Sequence, residues 1–510
     1  MPIQVNNKKK HTFRNVHGNY AKQYRFRTRL FNNPDKKDWE AYNDTTKTIR
    51  ELIRICAKDN VRLRACGSKW SLSEAPFDRD MIVFSRDSKN KQSLKIKEFL
   101  RNDDLEQSAD KNEMLFAQCG NTIKDLNKFC LKNRRSLATS GASNGQTIAG
   151  AMSTGVNGSA FKFGCVQDFV VGLHIVRGEK KGDSIYLEPA SKPIANQQFA
   201  DKINATLVRD DDLFHAALVS MGAFGYIHGV MIQTVPAFKL INTVKKVDIS
   251  DAYQFCKTLA IQPDSALDLV GVEGLDLYHV KFYINQYDLN NNIRAEIIYK
   301  LSPGQKGIFG DLLTYAKDFI LFNLARTVST ILPKTIPKLI NLRLPKEGSE
   351  VGFLGDIFSD SRPQKGQWAC AIGVAAADAE RVTKIMIDHF KQPGIKNIPA
   401  AFSYRYVKKS KALMAYTKFE NTCIIGIDGL KNKAIKKYLE EISQVLIDSG
   451  IPHTWHWGKR NLMDASFVKM AYGDNLDLFR EKRAEFLSPE VARIFSSKYL
   501  EKLGLTTIYA

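Results

Sequence analysis

Residues 140–158, SGASNGQTIAGAMSTGVNG, decide how the rest of the chain is read. These nineteen residues hold five glycines, three serines and two threonines, interrupted by Ile148 and Met152. A run of small polar residues alone makes a flexible linker, but interspersed apolar residues imply packing. Small side chains leave many backbone donors within reach, as a long polyphosphate ligand requires of a buried wall. The run is not a P-loop, because the lysine of GxxxxGK[ST] is missing, and it is not GxGxxG.

Working outward, a second glycine loop lies upstream at residues 66–73, CGSKWSLS. It follows residues 61–66, where apolar and basic residues alternate as in a strand. Gly67 ends that strand and lets backbone approach a ligand, with successive N–H groups able to form an anion nest. Taken alone, a strand ending in Gly-Ser is more often an ordinary turn. Thr48, Leu52, Ile53 and Cys56 recur at helical spacing. Strands are expected at 81–85, 114–119, 169–176 and 226–235, and helices at 123–132 and 212–219. The pattern is α+β. Residues 1–40 read as a basic N-terminal arm of little periodicity, 41–240 as one α+β domain and 241–445 as a second. Residues 446–510 read as a C-terminal segment carrying the aromatic-basic cluster Trp455-His456-Trp457-Gly458-Lys459. Prolines at 333, 337 and 345 mark 334–346 as irregular.

The 510 residues, 44% hydrophobic and 25% charged, suit two or three globular domains with a large core. A net charge of +21 favours anionic partners. No arginine-rich run, zinc-finger spacing or RNA-binding signature accompanies it, so no specific nucleic acid is expected. The eight cysteines (56, 66, 119, 130, 165, 256, 370 and 423) are scattered without a CxxC pair. They read as reduced, buried thiols of a cytoplasmic protein and argue against a metal site. The N-terminus lacks the apolar core of a secretory signal. The longest apolar stretch, 319–333, is shorter than the roughly 20 residues that span a bilayer, and Arg326 interrupts it. With Lys317, Lys334 and Lys338 nearby, it permits peripheral contact with an anionic membrane face.

The order of these segments is identified as that of the vanillyl-alcohol-oxidase (PCMH) type of FAD-binding flavoprotein. Gly67-Ser68-Lys69-Trp70-Ser71 resembles the family's first loop, GSGHS, and Cys119 to Asn127 resembles GAGxxLxDLN. Gln146 to Gly158 is similar to QTxAGxxSTGTHG. Asp212-Leu213-Phe214-His215 through Gly222-Ala223-Phe224-Gly225 is similar to ELFxAxxxGxGAxG, and residues 455–459 resemble PHWGK. The branch most like this chain holds the aldonolactone and alditol oxidases, including gulonolactone and arabinonolactone oxidases. The resemblance implies a two-subdomain FAD-binding domain, followed by an α+β substrate (cap) domain. It implies FAD contacts from Gly67, Ser68, Lys69, Trp70, Ser71, Gly141, Ser143, Gln146, Thr147, Gly150, Ser153, Thr154, Asn157, Gly158, Gly225 and Ile227.

Two departures matter. Covalent members bond the flavin through the first-loop histidine; here that position is Trp70, so FAD is expected to be noncovalent, or attached at Cys66 or Cys165. Asn157 stands where the family usually has histidine. The resemblance implies that Lys459 and an E-x-R pair face the flavin. Arg405 matches the arginine, but Ser403 takes the glutamate's place, which puts the usual sugar and lactone substrates in doubt. His456 is a candidate general base for a substrate hydroxyl. Gly141 occupies the position where alanine can block dioxygen, so an oxidase is expected. The substrate is a small molecule with a CH–OH group: a sugar, a lactone, a sterol or another alcohol. Two other readings compete: a flavin-binding protein with altered chemistry, or another electron acceptor.

Overall fold

Helix α1 (Asp38–Lys58) buries Thr45, Ile49, Leu52, Ile53 and Cys56 along one stripe, the i, i+4 spacing that the sequence shows. Its first turn is acidic, with Asp38 and Glu40, so the helix starts before the apolar repeat begins. The computed structural model describes residues 3–6, 10–86, 93–107, 109, 113–158, 160–178, 180–262, 265, 275–289, 293–301, 335–342, 344–359, 363–393, 395 and 398–508. The apolar stretch at 319–333 lies outside them, as do Lys317 and Lys334.

The α1 stripe packs on a four-stranded sheet ordered β1 (Ile3–Asn6), β4 (Phe26–Leu30), β6 (Met81–Phe84), β5 (Leu63–Cys66). The segment before α1, read as an aperiodic arm, is itself built of strands. Besides β1 and β4 it holds a hairpin of β2 (His11–Arg14) and β3 (Ala21–Tyr24). Each hairpin strand has four residues and one buried side chain, too little for a visible period of two. The hairpin lies over the loop after β5. The Val16 N–H donates to the Lys69 carbonyl at 3.0 Å, Asn15 Nδ2 to the Ser71 carbonyl at 3.0 Å and Tyr20 OH to the Ser73 carbonyl at 3.0 Å.

A six-stranded sheet follows. Its order is β12 (Thr206–Arg209), β11 (Ser184–Glu188), β10 (Val170–Val176), β13 (Tyr226–Gln233), β8 (Met114–Gln118), β7 (Lys97–Phe99). Helix α2 (Ile123–Lys132) begins at a capping box. Thr122 Oγ1 accepts the Asp125 N–H, and the Asp125 carboxylate accepts the Thr122 N–H. A small ladder of β9 (Arg135–Ser136) and β14 (Val235–Pro236) closes this part.

The remaining strands form one antiparallel sheet of eight. In order they are β18 (Gly348–Phe353), β15 (Lys239–Val247), β17 (Ile293–Lys300), β16 (Asp276–Ile284), β20 (Ala400–Lys408), β21 (Asn421–Leu430), β19 (Gln367–Ala375) and β22 (Thr454–Trp455). Register pairs Lys281 with Arg405, Tyr283 with Ser403, and Ser403 with Gly426. The period of two then sets Lys281, Tyr283, Ser403, Arg405 and Asp428 on one face. The opposite face carries Phe282, Tyr404 and Tyr406 beneath the helices Ile249–Ile261 and Ala379–Phe390. The stretch at 334–346, read as irregular, holds the helix Ile336–Asn341 with Pro337 in its first turn, where a missing N–H costs nothing. Among the described residues, no helix is long and apolar enough to cross a membrane.

Candidate functional site

The polar face of the eight-stranded sheet looks across a cavity of about 460 Å³ at the two glycine-rich loops. On the loop side, β5 ends in Cys66 and the chain turns sharply, with Lys69 in the left-handed region at φ 61°. A Cβ on Gly67 would stand 2.0 Å from Thr147 Oγ1, so only glycine lets the two loops touch. Residues Ile148–Ser153 form helix α3, which has two faces. Ile148, Ala151 and Met152 are buried in the core, while Gly150, Ser153 and Thr154 line the cavity. The mixture of small and apolar residues in the sequence is thus one helix packed on its greasy side.

Gly67, Ser68, Lys69, Trp70, Ser71, Gly141, Ser143, Gln146, Thr147, Asn157, Gly225 and Ile227 also line the cavity, as do Arg405, His456 and Lys459. Gly158 is not among the residues that line it. A Cβ there would stand 2.4 Å from Thr139 Oγ1 and 2.6 Å from the Gly164 carbonyl oxygen. Its glycine serves chain packing.

The cavity wall carries buried polar atoms without hydrogen-bond partners: Ser68 Oγ, Gln146 Oε1, Ser403 Oγ and Arg64 Nε. Such groups are costly unless a ligand or water completes them. A nucleotide with a diphosphate and a polar ring edge supplies the acceptors and donors they lack, so the donor set fits FAD. Trp70 packs edge-on against His17, with centroids 5.3 Å apart and planes at 83°. Cys66 lines the cavity, but burial pushes its thiol up to about 12. Cys165 is not on the cavity wall; its Sγ sits 3.4 Å from Thr417 Oγ1. Attachment of a flavin at Cys165 is therefore set aside on position.

The sheet side concentrates charge. Asp428 Oδ1 lies 3.2 Å from Lys459 Nζ, and its Oδ2 lies 3.8 Å from the Arg405 guanidinium. Burial alone would raise this carboxyl; Lys459, Arg405 and Lys281 outweigh it and hold the group at about 2. The carboxylate that Ser403 lacks is therefore present one strand away. Gly426, opposite Ser403, leaves it room: a Cβ there would lie 3.3 Å from Asp428 Oδ2. Lys281 is also buried, its ammonium 3.8 Å from the centre of the Tyr283 ring. Burial first, then Arg405 and Lys459, lower it to about 7.

His456 has a different character from the one its residue type suggests. Its Nδ1 accepts the Gly458 N–H at 2.9 Å, and the ring stacks on Tyr416 with centroids 4.9 Å apart. Burial, then Lys459 and Arg405, push it down to about 3. The neutral ring with Nδ1 occupied carries its proton on Nε2, which makes it a hydrogen-bond donor. A base role would need the Nδ1 lone pair that this hydrogen bond already uses.

Four cavity residues were not singled out from sequence. Arg64 and His17 flank the phosphate-type loop, and Lys281 and Asp428 lie on the sheet. Arg64 lies in the strand expected from the alternation at 61–66. It is buried and donates to the Ala75 and Met221 carbonyls. Lysine flanked by Val280 and Phe282 was the sole local signal for Lys281; Asp428 had none.

Residues 41–182 match a family described as an FAD binding domain. D-arabinono-1,4-lactone oxidase of Candida glabrata is 25% identical over 208 residues, which are 41% of this chain and 34% of that protein. The chain thus matches about a third of that relative's length. L-gulono-1,4-lactone dehydrogenase of Mycobacterium tuberculosis is 20% identical over 462 residues, 89% of this chain and 93% of that protein. The solved structure of a solvent-stable cholesterol oxidase superposes with a TM-score of 0.68 over 98% of both chains, at 13% identity, a likeness of fold. Residues 41–182 thus match an FAD binding domain, and the chain shares its fold with the solved cholesterol oxidase.

Proposed function

We propose that the protein is an FAD-dependent oxidoreductase that oxidises a CH–OH group of a sugar, a lactone or another alcohol, with dioxygen as electron acceptor. One observation carries this reading. A single cavity joins a wall of small residues and unsatisfied polar atoms to a sheet face bearing Lys281, Arg405, Asp428, His456 and Lys459. FAD, when bound, supplies the two-electron acceptor for a hydride.

Ser68, Gln146 and Arg64 would hold the cofactor's polar atoms, and α3 would lie along it. Lys459 and Arg405 place positive charge where the reaction builds negative charge. Asp428 keeps acceptor sites beyond those used by its cations, so it can bind substrate hydroxyls that a glutamate at 403 would have bound. His456 Nε2–H is a further donor to a substrate oxygen. Noncovalent FAD is favoured because an indole stands at Trp70, and the Cys66 thiol is held protonated. Gly141 on the cavity wall supports access of dioxygen. The names of the relatives point to aldono-1,4-lactones as first substrates to try. The eight cysteines, all buried and unpaired, support a reducing, cytoplasmic compartment.

The test is oxygen uptake and peroxide release by the holoprotein with D-arabinono-1,4-lactone and L-gulono-1,4-lactone. Equimolar peroxide supports an oxidase. Turnover only with an artificial dye would reassign the acceptor.

A further inference from the structure

Oxidising an alcohol at a flavin releases two things from the substrate: a hydride from carbon and a proton from oxygen. A group in the cavity must take that proton if the reaction is to run at neutral pH. Six titratable side chains line the sheet side, and five are unsuited; the Tyr283 hydroxyl, for one, already donates to Glu296 at 2.8 Å. The Arg405 guanidinium offers no lone pair. The Lys459 ammonium is held by the Asp428 carboxylate at 3.2 Å. Asp428 is itself bound to two cations and is a weak base. His456 has its only free lone pair, on Nδ1, committed to the Gly458 N–H.

Lys281 remains. It sits on β16, opposite Arg405 of β20, with its side chain on the cavity wall and only 9% of it exposed. Among the described residues it makes no ion pair, unlike Lys459, which pairs with Asp428; its ammonium lies over the Tyr283 ring.

 Its cationic neighbours are Arg405 and Lys459, and its anionic ones are Glu296 on β17 and Asp428 on β21. Glu296 is already engaged, accepting from Tyr283 OH at 2.8 Å and Asn242 Nδ2 at 3.2 Å. Asp276, Tyr278, His279 and Tyr283 are the other titratable groups of its own strand.

We propose that Lys281, as the neutral amine, is the residue that accepts the substrate hydroxyl proton. This rests on the oxidoreductase reading above and deepens it. The step balances: the substrate O–H bond breaks and its proton goes to the Lys281 lone pair. The C–H bond breaks with its electron pair, which leaves as hydride to the bound flavin as two-electron acceptor. The O–H bonding pair becomes the second bond of the new carbonyl. Burial, with Arg405 and Lys459 nearby, outweighs Glu296 and Asp428, and no carboxylate pairs with the ammonium among the described residues; the amine is therefore available near neutrality.

The experiment uses the FAD-loaded holoprotein and its K281R and K281M variants. First, the visible flavin spectrum is titrated with pH in the absence of substrate. Second, anaerobic flavin reduction by whichever of the two lactones reduces the wild type is followed across the same range. In the wild type the spectrum should shift with a midpoint near the value of about 7 held by Lys281, and the reduction rate should climb to a plateau through that same pH. K281R, which keeps the cation and cannot release its proton, should lose both the spectral step and the climb, and reduce roughly 10²–10⁴-fold more slowly. K281M should behave likewise, and K281R covers the case in which K281M fails to fold. A K281R protein that retains the spectral step and the wild-type pH–rate profile overturns the assignment and leaves the oxidoreductase reading standing. A wild-type flavin bleached by dithionite, but by no lactone or alcohol at any pH, overturns both.

Discussion

Replacing His456 by Asn separates a hydrogen-bonding role from an acid–base role. The asparagine amide oxygen can still accept the Gly458 N–H that Nδ1 accepts at 2.9 Å in the wild type. The titrating ring is gone. In the folded wild type the ring stays neutral down to about 3, whereas in the unfolded chain it titrates at its ordinary 6.5. Below that ordinary value the unfolded state binds the proton first, so stability falls as pH drops. The cost is RT ln(1 + 10^(6.5 − pH)), about 1.4 kcal/mol at about pH 5.5 and less than about 0.1 kcal/mol at about pH 7.5. The ring is 4% exposed, so no discount for solvent applies. Urea denaturation at both pH values should show the wild type losing about 1.3 kcal/mol more than H456N on acidification. Flavin reduction by substrate should keep its pH profile and slow by no more than about tenfold, the worth of one donated hydrogen bond. Equal acid sensitivity of the two proteins would refute the buried neutral ring. Loss of the pH–rate climb with a fall of roughly 10²–10⁴ would refute the donor role and make His456 the base.

Three further outcomes follow from the same geometry. G158A should lower stability by about 1–3 kcal/mol, because its Cβ meets Thr139 and the Gly164 carbonyl. Apo and holo proteins should lose the same amount in thermal unfolding, and a selective loss of FAD affinity would return Gly158 to the cofactor wall. D428N should raise the KM for polyhydroxylated substrates by roughly 10–100-fold, the worth of a charge-assisted hydrogen bond, and an unchanged KM in steady-state assays would remove Asp428 from substrate binding. In G141A the new Cβ stands 3.0 Å from Val156 Cγ1 and 3.3 Å from the Asn157 carbonyl oxygen. Reoxidation of the reduced flavin by air should slow by about tenfold, a barrier about 1.4 kcal/mol higher, with reduction by substrate unaffected; equal reoxidation in stopped flow would place the dioxygen route elsewhere.

What the sequence discloses is governed by range. The glycine-rich run at 140–158 and helix α2 were legible because their determinants are local: a helical face of small residues, and a capping box of Thr122 and Asp125. The FAD expectation rested on the order of such local motifs, and the match of residues 41–182 to an FAD binding domain bears it out. The sheet side of the cavity is another matter. Lys281, Arg405 and Asp428 meet only because β16, β20 and β21 pair in one register, and nothing near any of them in sequence announces the other two. The serine at Ser403 is a local fact of the sequence, while the carboxylate at Asp428 depends on the neighbouring strand. Arg64 depends on distant partners in the same way. Arg62 pairs with Glu501 at 3.0 Å and Arg64 is capped by carbonyls, so the basic face of residues 61–66 is buried. Histidine chemistry is equally a matter of surroundings: His456 has an ordinary side chain in a site that fixes its proton on Nε2.

The account turns on a flavin held in this cavity and reduced there by an alcohol or a lactone. The most direct measurement is the visible spectrum of the purified, FAD-loaded protein during anaerobic addition of D-arabinono-1,4-lactone and L-gulono-1,4-lactone, followed by acid precipitation. The account predicts a flavin spectrum that the substrate bleaches, with the yellow colour of a reoxidised sample passing to the supernatant. A protein that takes up no FAD, or a bound flavin that only dithionite can reduce, would contradict it.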